Sequence, residues 1–197
     1  MSLQKEPFDL SQVVNSFVST IYAQAKAKGV AFREVMSGFE GRTQYIGDAL
    51  RLSQILLNLG SNAVKFTPPG GAVTLTVTRI ASKHSTDTLR FVIRDTGIGM
   101  APEALERIFR PFEQADASIA GRYGGTGLGM SITQNLVTLM SGRIDIQSES
   151  GVGTVCTVDL PLLRDEEAGP LEDFSDLGLR ALVADDEKDV CVETASL

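Results

Sequence analysis

The chain has 197 residues, 43% of them hydrophobic, and a net charge of −7. That size and apolar share suit one globular domain with an appendage, and the acidic balance argues against a nucleic-acid surface, which needs clustered positive charge. No apolar run approaches the roughly 20 residues of a membrane span, no signal-peptide pattern opens the chain, and Cys156 and Cys191 are too isolated to suggest a zinc site or a disulfide framework. A reducing, cytoplasmic setting is expected. The single histidine, His84, lies in the polar run S-K-H-S-T-D and reads as surface.

Residues 8–28 predict a helix capped by Asp9 or Ser11, with Val13, Phe17, Ile21 and Ala25 as its buried stripe and Gly29 as its stop. Residues 30–35 read as a strand and 37–47 as a loop. Residues 48–67 (D-A-L-R-L-S-Q-I-L-L-N-L-G-S-N-A-V-K-F-T) predict the central helix, with Leu50, Leu52, Ile55, Leu56, Leu59 and Ala63 at helical spacing. On it Asn58 and Asn62 are four apart and Lys65 follows three later, which keeps all three on one face. Asn disfavours a helix interior because its side chain competes for backbone hydrogen bonds. An amide oxygen can ligate a hard cation and a lysine can hold phosphate; the plainer alternative is a solvated face. Gly60 is expected to soften this helix by about 1 kcal/mol relative to Ala. Pro68-Pro69-Gly70-Gly71 ends it.

Residues 73–80 and 89–94 predict two strands that pair antiparallel around a hairpin loop at 81–88. Residues 102–109 fit a short helix with Pro102 in its first turn. Residues 111–125 lack periodicity and are expected to be mobile. Residues 127–141 resume helical spacing through Leu128, Ile132, Leu136, Val137 and Leu139, with Gly142 as the stop. Residues 143–148 and 154–160 read as strands around a turn. Beyond Pro161 the chain turns acidic, and residues 178–184 (G-L-R-A-L-V-A) read as a new buried strand, too little to build a core of its own.

Three stretches carry chemistry. The run R-Y-G-G-T-G-L-G-M, from Arg122 to Met130, opens a helix, so free N–H groups and a positive dipole end face whatever lies in front. The P-loop pattern is absent and the dinucleotide fingerprint G-x-G-x-x-G fails at Met130. Asp95 ends a strand ahead of Thr96-Gly97-Ile98-Gly99-Met100. A carboxylate there can accept from an exocyclic amine such as that of adenine, and the two glycines let a flat ring lie against the backbone; the alternative is an Asx turn. Gly151-Val152-Gly153-Thr154 is a tight turn into a strand, and Phe109-Arg110-Pro111-Phe112 reads first as core.

Taken in order, N-L-G-S-N-A-V-K-F, D-T-G-I-G-M, I-F-R-P-F, G-G-T-G-L-G-M and G-V-G-T resemble the N, G1, F, G2 and G3 boxes of the catalytic ATP-binding domain of sensor histidine kinases. That domain belongs to the Bergerat-fold superfamily with Hsp90, type II topoisomerase ATPase domains and MutL. The resemblance covers about residues 7–163. It implies an α/β (α+β) two-layer sandwich, a mixed sheet of about five strands with three longer helices on one face. It also implies that ATP lies between the central helix and a lid formed by the mobile loop. Asn62 would ligate Mg²⁺, with Asn58 beside it as second ligand or water holder and the one candidate catalytic residue. Lys65 would meet phosphate and Phe66 the adenine. Asp95 would bind the adenine amine, assisted through water by Thr154, within a nucleotide site that takes in Gly97, Ile98, Gly99 and Met100. Gly125, Thr126, Gly127, Leu128 and Gly129 would line the phosphates, with Tyr123 and Met130 alongside and Arg122 reaching the terminal one. Phe109 and Phe112 would position the lid or face the helix carrying the phosphoacceptor.

The tail L-V-A-D-D-E resembles the first strand of a response-regulator receiver domain, in which Asp185 and Asp186 would hold Mg²⁺. The expected organisation is a start segment or linker at 1–7, the catalytic domain at 8–163, an acidic linker at 164–177 and the beginning of a receiver at 178–197. The parent would then be a hybrid histidine kinase, its other parts including a histidine-bearing dimerisation domain, since no H-box helix is present and His84 is not a phosphoacceptor. Downstream would stand a response regulator or phosphotransfer protein, and no nucleic acid. The domain is expected in the cytoplasm, with its parent free or anchored in the inner membrane. The implied activity is transfer of the γ-phosphoryl of Mg-ATP to histidine. A conformational ATPase of the Hsp90, topoisomerase or MutL type is the alternative. It needs a general base, usually Glu, where this chain has Asn58, and an amide takes no proton from water at neutral pH. A nucleotide-dependent interaction module without transfer is a third reading.

Overall fold

The structure is a computed structural model and describes residues 3–39, 43–110 and 128–167. In chain order its elements are β1 (Glu6–Asp9), α1 (Leu10–Lys28), β2 (Ala31–Ser37), β3 (Gln44–Gly47), α2 (Ala49–Phe66), β4 (Ala72–Lys83), β5 (Thr86–Asp95), α3 (Pro102–Leu105), α4 (Gly129–Leu139), β6 (Arg143–Glu149) and β7 (Gly153–Arg164). Among the described residues the strands form one seven-stranded sheet, ordered β1-β3-β7-β5-β4-β2 with β6 also on β7. β2 runs parallel to β4, and every other pair is antiparallel.

Two of these strands were not expected. β1 and β3 are each four residues long and fall where the sequence predicts helix start and loop. They exist by pairing with each other, Glu6 opposite Gly47 and Asp9 opposite Gln44, and β3 then pairs with the end of β7. The sheet therefore takes in Glu6, Pro7 and Arg164, outside the expected 8–163. The β4–β5 hairpin is also tighter than predicted. Its strands run on to the pair Lys83–Thr86, around a turn in which His84 has φ 52°, so most of the expected 81–88 loop is strand.

One sheet face is apolar by strict alternation. Val77, Phe91 and Val158 lie in register across β4, β5 and β7, and all three are buried. α1, α2 and α4 contribute to the same core cluster. α1 begins at Leu10 because the Asp9 carboxylate accepts from the Ser11 amide at 2.9 Å. It ends at Gly29 in a left-handed conformation, φ 71°. Its buried stripe is Leu10, Val14, Phe17, Ile21 and Ala25, so Val14 is the fully buried valine, while Val13 is half-buried against the edge of the core. α2 is capped by Asp48, whose Oδ1 accepts from the Arg51 amide at 3.0 Å. Leu50, counted in the apolar stripe, lies outside it at 67% exposure. α3 is shorter than predicted and gives way to turns before Phe109. At the end of α4 Ser141, φ 59°, takes the left-handed position expected of Gly142. A Cβ on Gly142 would meet Asp159 O and Leu160 Cδ2 at 2.5 Å, so that glycine serves close packing.

Gly60 is explained the same way. A Cβ there would lie 2.5 Å from Phe17 Cε2 and 2.7 Å from its Cζ, and that ring is itself buried. The glycine leaves room for the Phe17 ring of α1 to lie directly on the α2 backbone. Helix propensity alone predicts that Gly60→Ala stabilises by about 1 kcal/mol. We predict the opposite, a loss of about 1–3 kcal/mol from overpacking. Chemical denaturation decides it, and a stabilised variant refutes the packing role.

Candidate functional site

The site is assembled at one end of β5. Asp95 closes that strand and is buried, with 8% of its surface exposed. Its Oδ1 accepts the Gly97 amide at 2.8 Å and the Thr154 amide at 3.2 Å. Among the described residues, Oδ2 accepts no hydrogen bond. The Gly97 bond is an Asx turn, the plainer of the two readings of this stretch. Burial raises the Asp95 pKa above its ordinary value, and the two amide bonds oppose that rise. The direct bond from the Thr154 main chain was not foreseen, since the sequence suggested help through water. The Thr154 hydroxyl is 2.9 Å from that of Ser148.

The glycines around Asp95 bring three backbones together. A Cβ on Gly97 would lie 2.6 Å from Phe66 O, and one on Gly99 would overlap Glu149 O. A Cβ on Gly153 would overlap Asp95 O. Ile98 bridges the parts: its amide donates to Phe66 O at 3.1 Å and its carbonyl accepts from the Gly151 amide at 2.7 Å. The loop after β5 is thus tied to the end of α2 on one side and to the β6–β7 turn on the other. Met100, just beyond it, is half-buried.

α2 brings the amides. Asn58 and Asn62 are both half-buried and face the start of α4. Asn58 Nδ2 donates to Thr133 Oγ1 at 2.7 Å and lies 3.9 Å from Met130 Sδ, while Asn62 Nδ2 lies 3.7 Å from that sulfur. A Cβ on Gly129 would come within 2.5 Å of Asn58 Oδ1. Within α4 the first amide bond is Ile132 N to Leu128 O at 3.0 Å, so the amides before it have no partner in the helix. Lys65 Nζ sits 4.9 Å from the centre of the Phe66 ring, a cation–π distance. Lys28 was not foreseen. From the end of α1 its ammonium donates to Val64 O at 2.9 Å and Lys65 O at 2.5 Å, fastening the last turn of α2. No local signal in the sequence marks this contact, since its partners lie 36 and 37 residues away.

The structure therefore brings together Asn58, Asn62, Leu128, Gly129 and Met130, and separately Phe66, Asp95, Gly97, Ile98, Gly99 and Thr154, joined through the end of α2. Phe109 is half-buried after α3. Phe112, Arg122, Tyr123, Gly125, Thr126, Gly127, Asp185 and Asp186 lie outside the described residues. Among the described residues no group of three or more His, Cys, Asp or Glu can hold a metal. The hard oxygens at the start of α4 are the amides of Asn58 and Asn62.

A buried acid with a raised pKa has a defined pH signature. The native state holds the Asp95 proton more tightly than the unfolded chain does. This contribution to stability is full at low pH and lost as pH rises from the ordinary Asp value through the raised native one. At neutral pH the charged form opposes folding. Asp95→Asn keeps Oδ1 for the two amides and removes the charge. It should melt at a higher temperature than the unsubstituted chain at pH 7, with the gap closing toward pH 4. A gap that does not vary with pH in thermal melts contradicts this.

Residues 47–164 match the family described as "Histidine kinase-, DNA gyrase B-, and HSP90-like ATPase". The chain is 41% identical over 162 residues to the histidine protein kinase DivJ of Caulobacter vibrioides, covering 82% of this chain and 26% of DivJ. It is 39% identical over 160 residues to the circadian input-output histidine kinase CikA of Synechococcus elongatus, covering 81% of this chain and 21% of CikA. The chain thus spans about a quarter of the length of these curated relatives. Among solved structures it is similar to full-length ShkA in complex with AMPPNP, with a TM-score of 0.69 and 33% identity over 83% of this chain and 32% of that one. It shares the fold of the mycobacterial sensor histidine kinase MprB, with a TM-score of 0.64 and 24% identity over 81% of this chain and 99% of that one. With its Asp95 loop, its α2 amides and this match over β5, α4 and β7, the chain belongs to the histidine kinase-, DNA gyrase B- and HSP90-like ATPase family.

Proposed function

We propose that this chain binds Mg-ATP and donates its γ-phosphoryl group to a histidine on a separate dimerisation domain, as the catalytic part of a two-component phosphorelay kinase. The observation that carries the reading is the Asp95 carboxylate. It is buried, fixed through Oδ1 by two main-chain amides, and has Oδ2 left for a ligand donor. The 6-amino group of adenine is such a donor, whereas guanine presents a carbonyl oxygen in that place.

The donor set fits a magnesium nucleotide. Among the described residues no carboxylates cluster at the site, and two amide oxygens suit a cation whose remaining ligands are phosphates and waters. Asn62 would hold the metal with Asn58 beside it, and the metal would supply charge neutralisation on the phosphates. The chain's own residues do the rest. The unbonded amides at the start of α4 face the phosphates, and Lys65 adds positive charge at the end of α2. Phe66 flanks the base, and Gly97 and Gly99 let it approach the backbone. Arg122 and the glycine run from Gly125 to Gly129 complete the phosphate side. Asn58 favours transfer over hydrolysis, because an amide cannot activate water as a base.

The names of DivJ and CikA, both histidine kinases, support this reading. The AMPPNP bound to ShkA supports the nucleotide. The proposed partners are the dimerisation domain and receiver of the same parent and a downstream response regulator or phosphotransfer protein. Asp185 and Asp186 are the receiver's acidic pair. No described helix is long and apolar enough to cross a membrane. The domain works in the cytoplasm, with any membrane anchor elsewhere in the parent.

Incubation with labelled ATP and a separately made histidine-bearing domain tests the reaction. Label on histidine is expected, and steady phosphate release without it points to the conformational ATPase instead. Asn62→Ala should lower magnesium-dependent ATP affinity about tenfold or more, ~1.4 kcal/mol, with the fold intact. Unchanged affinity by calorimetry removes Asn62 from the metal site. Asp95→Ala should abolish preference for ATP over GTP, and retained discrimination contradicts the adenine contact.

A further inference from the structure

We propose that Thr133 is a positioning residue: its hydroxyl locks the Asn58 amide so that the carboxamide oxygen is presented at the start of α4. The idea rests on the nucleotide reading above and adds a residue outside every glycine or asparagine run. Thr133 is 1% exposed, an unusual place for a hydroxyl on an otherwise apolar helix face. It lies three residues after Met130, so both side chains meet α2 from one face of α4.

The orientation follows from what surrounds the amide. A hydroxyl can accept or donate, but a thioether only accepts. Asn58 Nδ2 lies 2.7 Å from Thr133 Oγ1 and 3.9 Å from Met130 Sδ. With an acceptor-only sulfur beside that position, the atom pointing there is the NH₂. The oxygen is then turned to Gly129, where a Cβ would come within 2.5 Å of it. Oδ1 rests against the bare Cα of the first helical residue, and among the described residues it accepts no hydrogen bond. An unlocked amide would present NH₂ to a cation in part of its population, and NH₂ cannot ligate. Thr133 thereby ties the metal-side amide of α2 to the helix that starts the phosphate site.

Thr133→Val keeps the shape and removes the acceptor, and Thr133→Ser restores it. The first reading needs no ligand: the Asn58 side-chain NH₂ signals in a ¹⁵N–¹H spectrum, identified by their loss in Asn58→Asp. They should move in the Val variant and return in the Ser variant. The second is ATP affinity with saturating magnesium against affinity in EDTA. That ratio should fall about fivefold in Thr133→Val, the size expected for one lost hydrogen bond, and recover in Thr133→Ser. If Thr133→Val does not fold, Thr133→Ala gives the same two readings. Unmoved NH₂ signals, an unchanged magnesium ratio or a Ser variant no better than Val overturns the proposal. If the unsubstituted chain binds no ATP, the proposed function fails, and the ligand-free spectra still decide the Thr133–Asn58 bond.

Discussion

The site depends on a carboxylate that is held but not satisfied. Among the described residues Asp95 is placed by main-chain amides alone, from Gly97 and Thr154. Backbone groups are the least mobile donors a protein has, so the acid has no freedom to follow a side chain. The approach that delivers them is possible only because Gly97, Gly99 and Gly153 have no Cβ to keep Phe66, Glu149 and Asp95 apart. Fixing the acid therefore fixes the end of α2 relative to the β6–β7 turn, and with it the helix that carries the two asparagines.

The other end of β5 shows what a satisfied buried acid looks like. Asp87 is 1% exposed and accepts the Tyr45 hydroxyl at 3.1 Å. Arg79 and Arg164 lie 3.7 and 3.5 Å from its two oxygens. Burial, and then the charge of Asp87, push the Tyr45 hydroxyl to titrate well above its usual range. Both oxygens are claimed, and the cluster fastens β3 and the end of β7 to the β4–β5 hairpin. Two buried acids on one strand thus have opposite characters. One is paired with cations and holds the sheet together, and the other has only Oδ1 engaged among the described residues.

The stretches that make up the described part of the candidate site were legible because their signals are local. Asparagines four apart on a helix, the acid that opens D-x-G-x-G and a glycine run opening a helix each declare themselves within a few residues. What was not legible depends on distant partners. β1 and β3 have too few residues to show alternation and are strands because they pair with each other and β3 with the end of β7. Phe8 read as helix because its partner is distant: it pairs with Tyr45 across β1–β3. Gly60 read as a weakness of α2 until Phe17 appeared above it. Lys28 and Thr133 carry no motif, and their roles exist only once α1 and α4 lie against α2.

α2 is consequently held from three directions. Phe17 packs onto Gly60, Lys28 caps its last carbonyls, and Thr133 takes the Asn58 amide. This bears on which residue position 58 can accept. A glutamate there would have no NH₂ to give Thr133 and would place a carboxylate beside the acceptor-only sulfur of Met130, with only the Thr133 hydroxyl to compensate it. The pocket made by α4 matches an amide, which donates on one side and accepts on the other. The fit of position 58 to an amide is therefore written into α4 as well as α2. It follows that changing Asn58 alone would not convert this domain into a water-activating ATPase.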